Sequence, residues 1–252
     1  MNKNEALFEY ALRLGDSALI HGQRLAEWCG HGPELEQDIA LTNIALDQIG
    51  QASNWLALAG KIEGKGRDED QLAFLRDAWE FRNVQLVEYP NEDWAYTLMK
   101  SYLFDSFNFL LHQRLSESAN PDFAAIAAKS LKEITYHKRY SAEWVLRLGD
   151  GTELSHRKAQ AALDDLWPYT GELCEMNEVD ELLLAEGIVP DLKALESEWR
   201  AEMRDLLAQA TLEIPEREHV HTGSRQGIHT EYLGHILTEM QFLQRAYPGL
   251  EW

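Results

Sequence analysis

Apolar residues recur every three or four positions along most of this chain, the spacing that gathers them on one face of an α-helix. The first run extends from about Asn4 to Cys29 and contains Gly15 and Gly22, whose missing side chains let a neighbouring helix pack closely. Gly30, His31, Gly32 and Pro33 make a turn. The second run, about Glu34 to Gly60, opens with Glu34, Glu36 and Asp38, acids that favour a helix N-terminus. A solvated loop spans Glu63 to Asp70. A short helix with Leu72, Phe74, Leu75 and Trp79 follows, with apolar content suited to a lid over a bundle end.

A third helix is predicted from about Asn91 to Ser118, with Leu98, Tyr102, Asp105, Phe109 and His112 on one face. The fourth, Pro121 to Gly149, is the stretch around which the pattern is organised. Asn120 can cap it, Pro121 suits its first position, and Gly149 with Asp150 and Gly151 ends it. Its stripe Ile126, Ser130, Glu133, His137, Tyr140, Trp144 is apolar at both ends, with an acid and a histidine in the middle. Two long helices, a connection and two more long helices is the order of a four-helix bundle with a crossover, each pair antiparallel.

The remaining residues also read as helical. Thr152 to Glu175 is broken or kinked at Pro168, and Asn177 to Glu186 is short. Pro190 to Leu212 turns Leu192, Leu195, Trp199, Met203 and Leu206 inward. Ile214 to Gly227 is irregular. The last helix, His229 to Tyr247, places Leu233, Leu237, Met240 and Leu243 or Gln244 on one side. No β alternation is long enough to build a sheet, and no composition break separates a domain. The expectation is one all-α domain over residues 1–252, with a core bundle over about 4–150 and additional helices over about 152–252.

Composition narrows the function. The formal net charge is −20, which disfavours nucleic acid, since phosphate contact needs a basic surface. Such acidity serves solubility, or a docking face for a basic partner. No run of about 18 apolar residues exists to span a membrane. Cys29 and Cys174 are too few for a disulfide framework and lack metal-ligand spacing. With an N-terminus that has acids and no apolar leader core, this predicts a reduced, cytoplasmic protein. Walker, GxGxxG, GxSxG and CxxC motifs are absent, so nucleotide hydrolysis, dinucleotide binding and serine hydrolysis have no support.

A helical bundle with inward acids raises the question of metal. A di-iron carboxylate centre takes a Glu from each of two helices and a Glu-x-x-His from each of the other two. On the second helix the central acid is Asp47, and the histidine slot at i+3 is Gly50. Its antiparallel partner on the first helix is expected near Asp16, Ser17 and Leu19, where Asp16 has the shorter reach of an aspartate. Asp105 fills the carboxylate slot of the third helix and Glu133 that of the fourth, but i+3 from Glu133 is Tyr136, and His137 is one place late. One residue rotates a side chain by about 100°. The alternative is a buried polar network, in which these carboxylates bond one another, His137, Tyr136, Tyr102 and Asn43, or pair with Arg13, Arg24 or Arg139.

His219, His221 and His229 surround a glycine-containing loop without the fixed spacing of a metal site. Arg225 reads as a solvated loop arginine, with contact to an acid or a phosphate as the functional alternative. Trp28, Trp55, Trp144 and Trp167 read as core or interface.

Three stretches carry a family resemblance. They are GQRLAEWCGHGPELEQDIALTNIALDQIGQA (22–52), KEITYHKRYSAEWVLRLGDGT (132–152) and GIHTEYLGHILTEMQFLQRAYPGLEW (227–252). Together they resemble the PaaC-type subunit of bacterial phenylacetyl-CoA epoxidase, a ring-hydroxylating complex, over essentially the whole chain. The resemblance implies a ferritin-like fold. It implies a complex that converts the ring of phenylacetyl-CoA to a 1,2-epoxide with O₂ and electrons from NADPH, delivered by a reductase subunit. It further implies a PaaA-type sister subunit that carries the di-iron centre, while this type has no cofactor and acts as a structural partner. Two other readings remain: a catalytic di-metal oxygenase using Asp47, Asp105, Glu133 and His137, and a helical interaction module unrelated to oxygenases.

Overall fold

Asn2 starts the first helix: its side chain accepts from the Glu5 backbone N–H at 2.9 Å, and Glu5 reaches back to the Asn2 N–H at 2.8 Å. The computed structural model describes residues 1–216 and 220–250. Within them lie nine α-helices, with short 3₁₀ turns and no strand, so the protein is all-α as the periodicity predicts. The chain divides into two compact units, residues 1–88 with 223–252 and residues 89–222. The division does not fall near residue 150. The helices after 150 pack on the pair before them, and the last helix packs on the segment around residues 69–80.

In the first unit α1 (Lys3–Ala26) packs along α2 (Leu35–Glu63). A Cβ on Gly15 would meet Leu56 and Trp55, and one on Gly22 would meet Gln48, Ile49 and Ala45. Rising numbers on one helix meet falling numbers on the other, so the pair is antiparallel, and both glycines serve the close packing expected of them. The register corrects the sequence reading. Residues 47–50 lie beside the segment around Gly22, more than a turn beyond Asp16, because α1 ends three residues early and the turn takes residues 27–34. The N-terminal turns of α2 therefore overhang α1.

The short α3 (Glu69–Phe74) and a 3₁₀ turn at Ala78–Glu80 replace the single lid helix expected there. Leu72 is buried, but Leu75 and Trp79 are exposed. The last helix, labelled α9 below (Glu231–Ala246), begins after Thr230 and buries Leu233, Ile236, Leu237 and Gln241 against this segment; Met240 and Leu243 stay outside the buried set. Gln241 donates its amide to the carbonyls of Ala73 and Arg76 at 3.0 and 2.9 Å.

In the second unit α4 (Trp94–Leu115) is capped by Asp93 and starts three residues later than predicted. It is buried on nearly every side, as a helix without a polar face must be. Around it pack α5 (Pro121–Gly149), α6 (Glu153–Leu166) and α8 (Leu192–Gln209), with α7 (Glu178–Ala185) between α6 and α8 in sequence. Asp105 meets Ser141 and Phe109 meets Lys138, so α4 and α5 are antiparallel too. The helix breaks before Pro168, as expected: α6 ends at Leu166 and the chain enters a 3₁₀ turn at Trp167–Tyr169. On α8 the inward leucine is Leu207, not Leu206. Trp199 stacks on Trp167 at 5.6 Å and donates its indole N–H to Ser106 Oγ at 2.9 Å.

Glycines separate cleanly by their surroundings. Gly50 is exposed, with no atom within 4 Å of where a Cβ would stand, whereas a Cβ at Gly60 would run into the Arg67 carbonyl. We expect Gly50→Ala to raise stability by about 0.5–1 kcal/mol and Gly60→Ala to lower it by about 1–3 kcal/mol, read as opposite shifts of the urea unfolding midpoint.

Candidate functional site

The seven positions singled out in the sequence fall into different environments. In the first unit Asp16 is fully buried on α1 and engaged by cations and donors of its own chain. Arg76 Nη1 donates to its Oδ2 at 3.0 Å, Arg76 Nη2 donates to its Oδ1, and the Arg82 backbone N–H donates at 2.8 Å. Arg76 is itself buried, lies over the Phe81 ring at 4.3 Å and donates to the Glu80 carbonyl at 3.0 Å. The cation that meets Asp16 is thus Arg76. Sixty residues separate Asp16 from Arg76, and nothing in the periodicity of either segment signals the pair.

Asp47 is half-buried and Gly50 exposed on α2. By the observed register Asp47 lies beside the part of α1 near Gly22, so Asp16 and Asp47 do not form one cluster. Asn43, an expected network member, is exposed.

In the second unit the buried face of α5 is Phe123, Ala127, Ser130, Ile134, His137, Ser141 and Val145. The predicted stripe shares only Ser130 and His137 with it. Glu133 is rotated to a half-buried flank and Tyr136 is 40% exposed, with Arg139 5.7 Å from its ring. Tyr102 donates its hydroxyl to Glu202 at 3.3 Å rather than to any of the candidate carboxylates. Asp105 on α4 is fully buried and accepts from Ser141 Oγ at 3.4 Å, while its Oδ1 has no hydrogen-bond partner among the described residues. Burial pushes its pKa from 3.8 up to about 7, against the opposing pull of His137 and the Ser141 hydroxyl. His112, one helical stripe further along α4, is pushed down to about 4 by burial, the Asn108 carbonyl at 3.0 Å only partly opposing this.

This donor set does not fit a di-iron centre. Of the seven positions, Asp105 and His137 are the two fully buried in the second unit. In the first, the only fully buried acid named beforehand already holds a guanidinium. No group of three or more His, Cys, Asp or Glu side chains arranged to hold a metal ion occurs among the described residues.

A further polar site is one that periodicity missed. Glu88, fully buried in the first unit, accepts four hydrogen bonds. They come from Asn83 Nδ2 at 2.8 Å, His229 Nδ1 at 2.6 Å, and the Thr230 N–H and hydroxyl at 2.8 and 2.6 Å. Arg24 donates through Nε and Nη2 to the Glu88 carbonyl at 3.0 and 2.7 Å. His229 faces the Phe81 carbonyl with its other nitrogen at 3.0 Å, so both ring nitrogens meet acceptors. Burial draws the imidazole pKa down, but the hydrogen bond and charge of Glu88, the Phe81 carbonyl and the charge of Asp16 outweigh it, and the net shift is upward. This knot pins the start of α9 to the segment preceding the second unit. Its sequence signal is the histidine of GIHTEY, whose partner 141 residues away cannot be found by spacing.

Of the other histidines considered, His221 stacks on Tyr169 at 4.1 Å, and His219 lies outside the described residues. Arg225 is half-buried in a 3₁₀ turn at Ser224–Gln226 rather than solvated. Trp55 and Trp167 are buried; Trp28 and Trp144 are half-buried, Trp144 edge-on to Trp94 at 5.4 Å.

Comparison with known proteins gives two results. The family described as phenylacetic acid catabolic protein matches residues 1–252. A relative from Escherichia coli (strain K12), named as a subunit of 1,2-phenylacetyl-CoA epoxidase, is 48% identical over 246 residues, covering 98% of this chain and 99% of that protein.

Two pH responses follow. Because the folded pKa of His229 is raised above 6.5, its contribution is complete below that value and is lost as pH rises through the folded value. Urea midpoints should fall over that interval, and His229→Asn should remove this part of the slope. Asp105 has the same sign by a different route: the unfolded carboxyl ionises from 3.8 while the folded one resists until about 7, so stability declines between those values. Asp105→Asn should flatten that decline and leave the protein more stable than the parent at pH 8.

Proposed function

Because the chain belongs to the phenylacetic acid catabolic protein family, we propose that it is a non-catalytic structural subunit of a phenylacetyl-CoA 1,2-epoxidase. The relative's name, which makes it one subunit of that epoxidase, and its near-complete overlap with this chain support the assignment to such a complex. The two antiparallel pairs of long helices agree with the ferritin-like class.

The observation that carries the non-catalytic part is the rotation of α5. His137 is buried, Glu133 lies about 40° round the helix on a half-buried flank, and the position three before His137 is the buried Ile134, so the helix lacks the Glu-x-x-His pair of a di-iron ligand set. The engagement of Asp16 by Arg76 supports the same reading from the other unit, since removing a buried carboxylate from its guanidinium costs about 3–5 kcal/mol.

In this reading the di-iron centre sits in a PaaA-type ferritin-like partner, and NADPH oxidation in a reductase subunit. That partner's metal would supply the oxygen chemistry. This chain supplies a rigid helical body against which the partner's helices are held. Its inward polar residues maintain the fold. The site of action is the cytoplasm; no helix among the described residues is long and apolar enough to cross a membrane.

The test is metal analysis and turnover. The purified chain should hold no stoichiometric iron and should not oxidise phenylacetyl-CoA. Co-expression with the di-iron subunit should give a stable complex and restore that subunit's epoxidation. Asp105→Asn should leave the complex's rate within about threefold, since no transition-state contact is lost. About two irons per isolated chain, with turnover, would establish the catalytic alternative.

A further inference from the structure

One face of α2 has no counterpart among the described residues of the chain. Ile39, Asn43, Leu46, Gly50, Ser53 and Ala57 alternate in steps of four and three, the repeat of a coiled-coil seam. Asn43, Gly50, Ser53 and Ala57 are exposed, and Ile39 and Leu46 are exposed by 51% and 61%. Leu35, 71% exposed, prolongs the seam onto the overhanging end of the helix. From Ile39 to Ala57 the seam runs about 27 Å at 1.5 Å per residue. Its C-terminal half is made of small residues, and no neighbouring atom lies within 4 Å of where a Cβ on Gly50 would stand. Gly15 and Gly22 have the same character where α1 approaches α2, but there the space is filled.

The charges carried by this stretch of chain are acidic, Glu27 among them being paired with Arg24 at 2.7 Å. Between Leu25 and Gly60 the chain has five acids, Glu27, Glu34, Glu36, Asp38 and Asp47, and no lysine or arginine. Glu34 and Glu36 are exposed at the open end, and Asp47 borders the seam between Leu46 and Gly50. A second copy of this chain would bring these acids against one another. A helix with aliphatic side chains along one stripe and lysines or arginines beside it matches both the apolar seam and its acidic border.

We infer that the seam Leu35–Ala57 on α2 is the seat of a basic amphipathic helix from another subunit of the complex. The inference rests on the subunit reading and adds to it the surface and the chemistry of the partner. Leucine and isoleucine at the open end are the anchors. The small residues let the partner helix lie close at the other end, and the acids set its direction and register.

The test uses the full-length chain and the other epoxidase subunits, purified separately, with the dissociation constant measured at low and high salt. The seam variants Ile39→Lys with Leu46→Lys, and separately Glu34→Lys with Glu36→Lys, alter exposed positions only, so circular dichroism should be unchanged. Each pair should weaken binding by at least about tenfold, the scale of losing a buried aliphatic anchor or its complementary charge. Leu154→Lys, exposed on α6, should have no effect. Binding of the native chain should weaken as salt rises. Assembly unaffected by either seam pair would overturn the inference while leaving the subunit reading intact. A native homodimer dissolved by the Lys pairs would also overturn it, by making a second copy the occupant. Failure of the native chain to bind any of the other subunits would remove both readings together.

Discussion

A buried carboxylate must be met by donors, and in the first unit two such groups tie distant stretches together. Asp16 fixes the segment at Arg76 and Arg82 to the middle of α1. Glu88 fixes the same connection, a few residues later, to His229 and Thr230 at the start of α9. Neither group could be stripped of its partners without leaving an uncompensated charge in the interior, which is the costly arrangement, far more than the pair itself is a gain. The irregular stretch between α2 and α4 has little helix of its own to hold it, and these two acids give it a fixed path.

That commitment bears on chemistry. A bundle that binds metal keeps its inward acids facing open coordination positions, with second contacts that only orient them. Here Asp16 and Glu88 face donors that belong to the chain, and Asp105 faces a serine and a histidine inside a desolvated setting that favours its neutral form. Residue types that could assemble a metal centre are used here to close the interior.

Much of the architecture was legible in the order of residues. The long helices, their caps at Asn120 and Pro121, and the need for Gly15 and Gly22 all follow from local rules, and the structure keeps them. Register was not legible, because it depends on how many residues the 27–34 turn consumes, and an error of a few residues moved Asp16 away from Asp47. The phase of α5 differs at alternate steps of the stripe: Glu133 and His137 lie about 40° apart around the helix, and burial of Ile134 and Ser141 centres the face on the histidine side. Arg76 and Glu88 went unnoticed because their partners are distant in sequence and single, with no repeat to betray them. The family resemblance reached the assignment that spacing could not, and the comparisons bear it out at the level of family and named relative.

The first unit is discontinuous: residues 89–222 intervene between its two parts. During synthesis the second unit is therefore complete before α9 leaves the ribosome. Glu88 is translated 141 residues ahead of His229, a delay of roughly 7–28 s at 5–20 residues per second. Throughout that interval the surface that α9 will cover is open and the carboxylate has only part of its final shell, so closure of the first unit waits on α9.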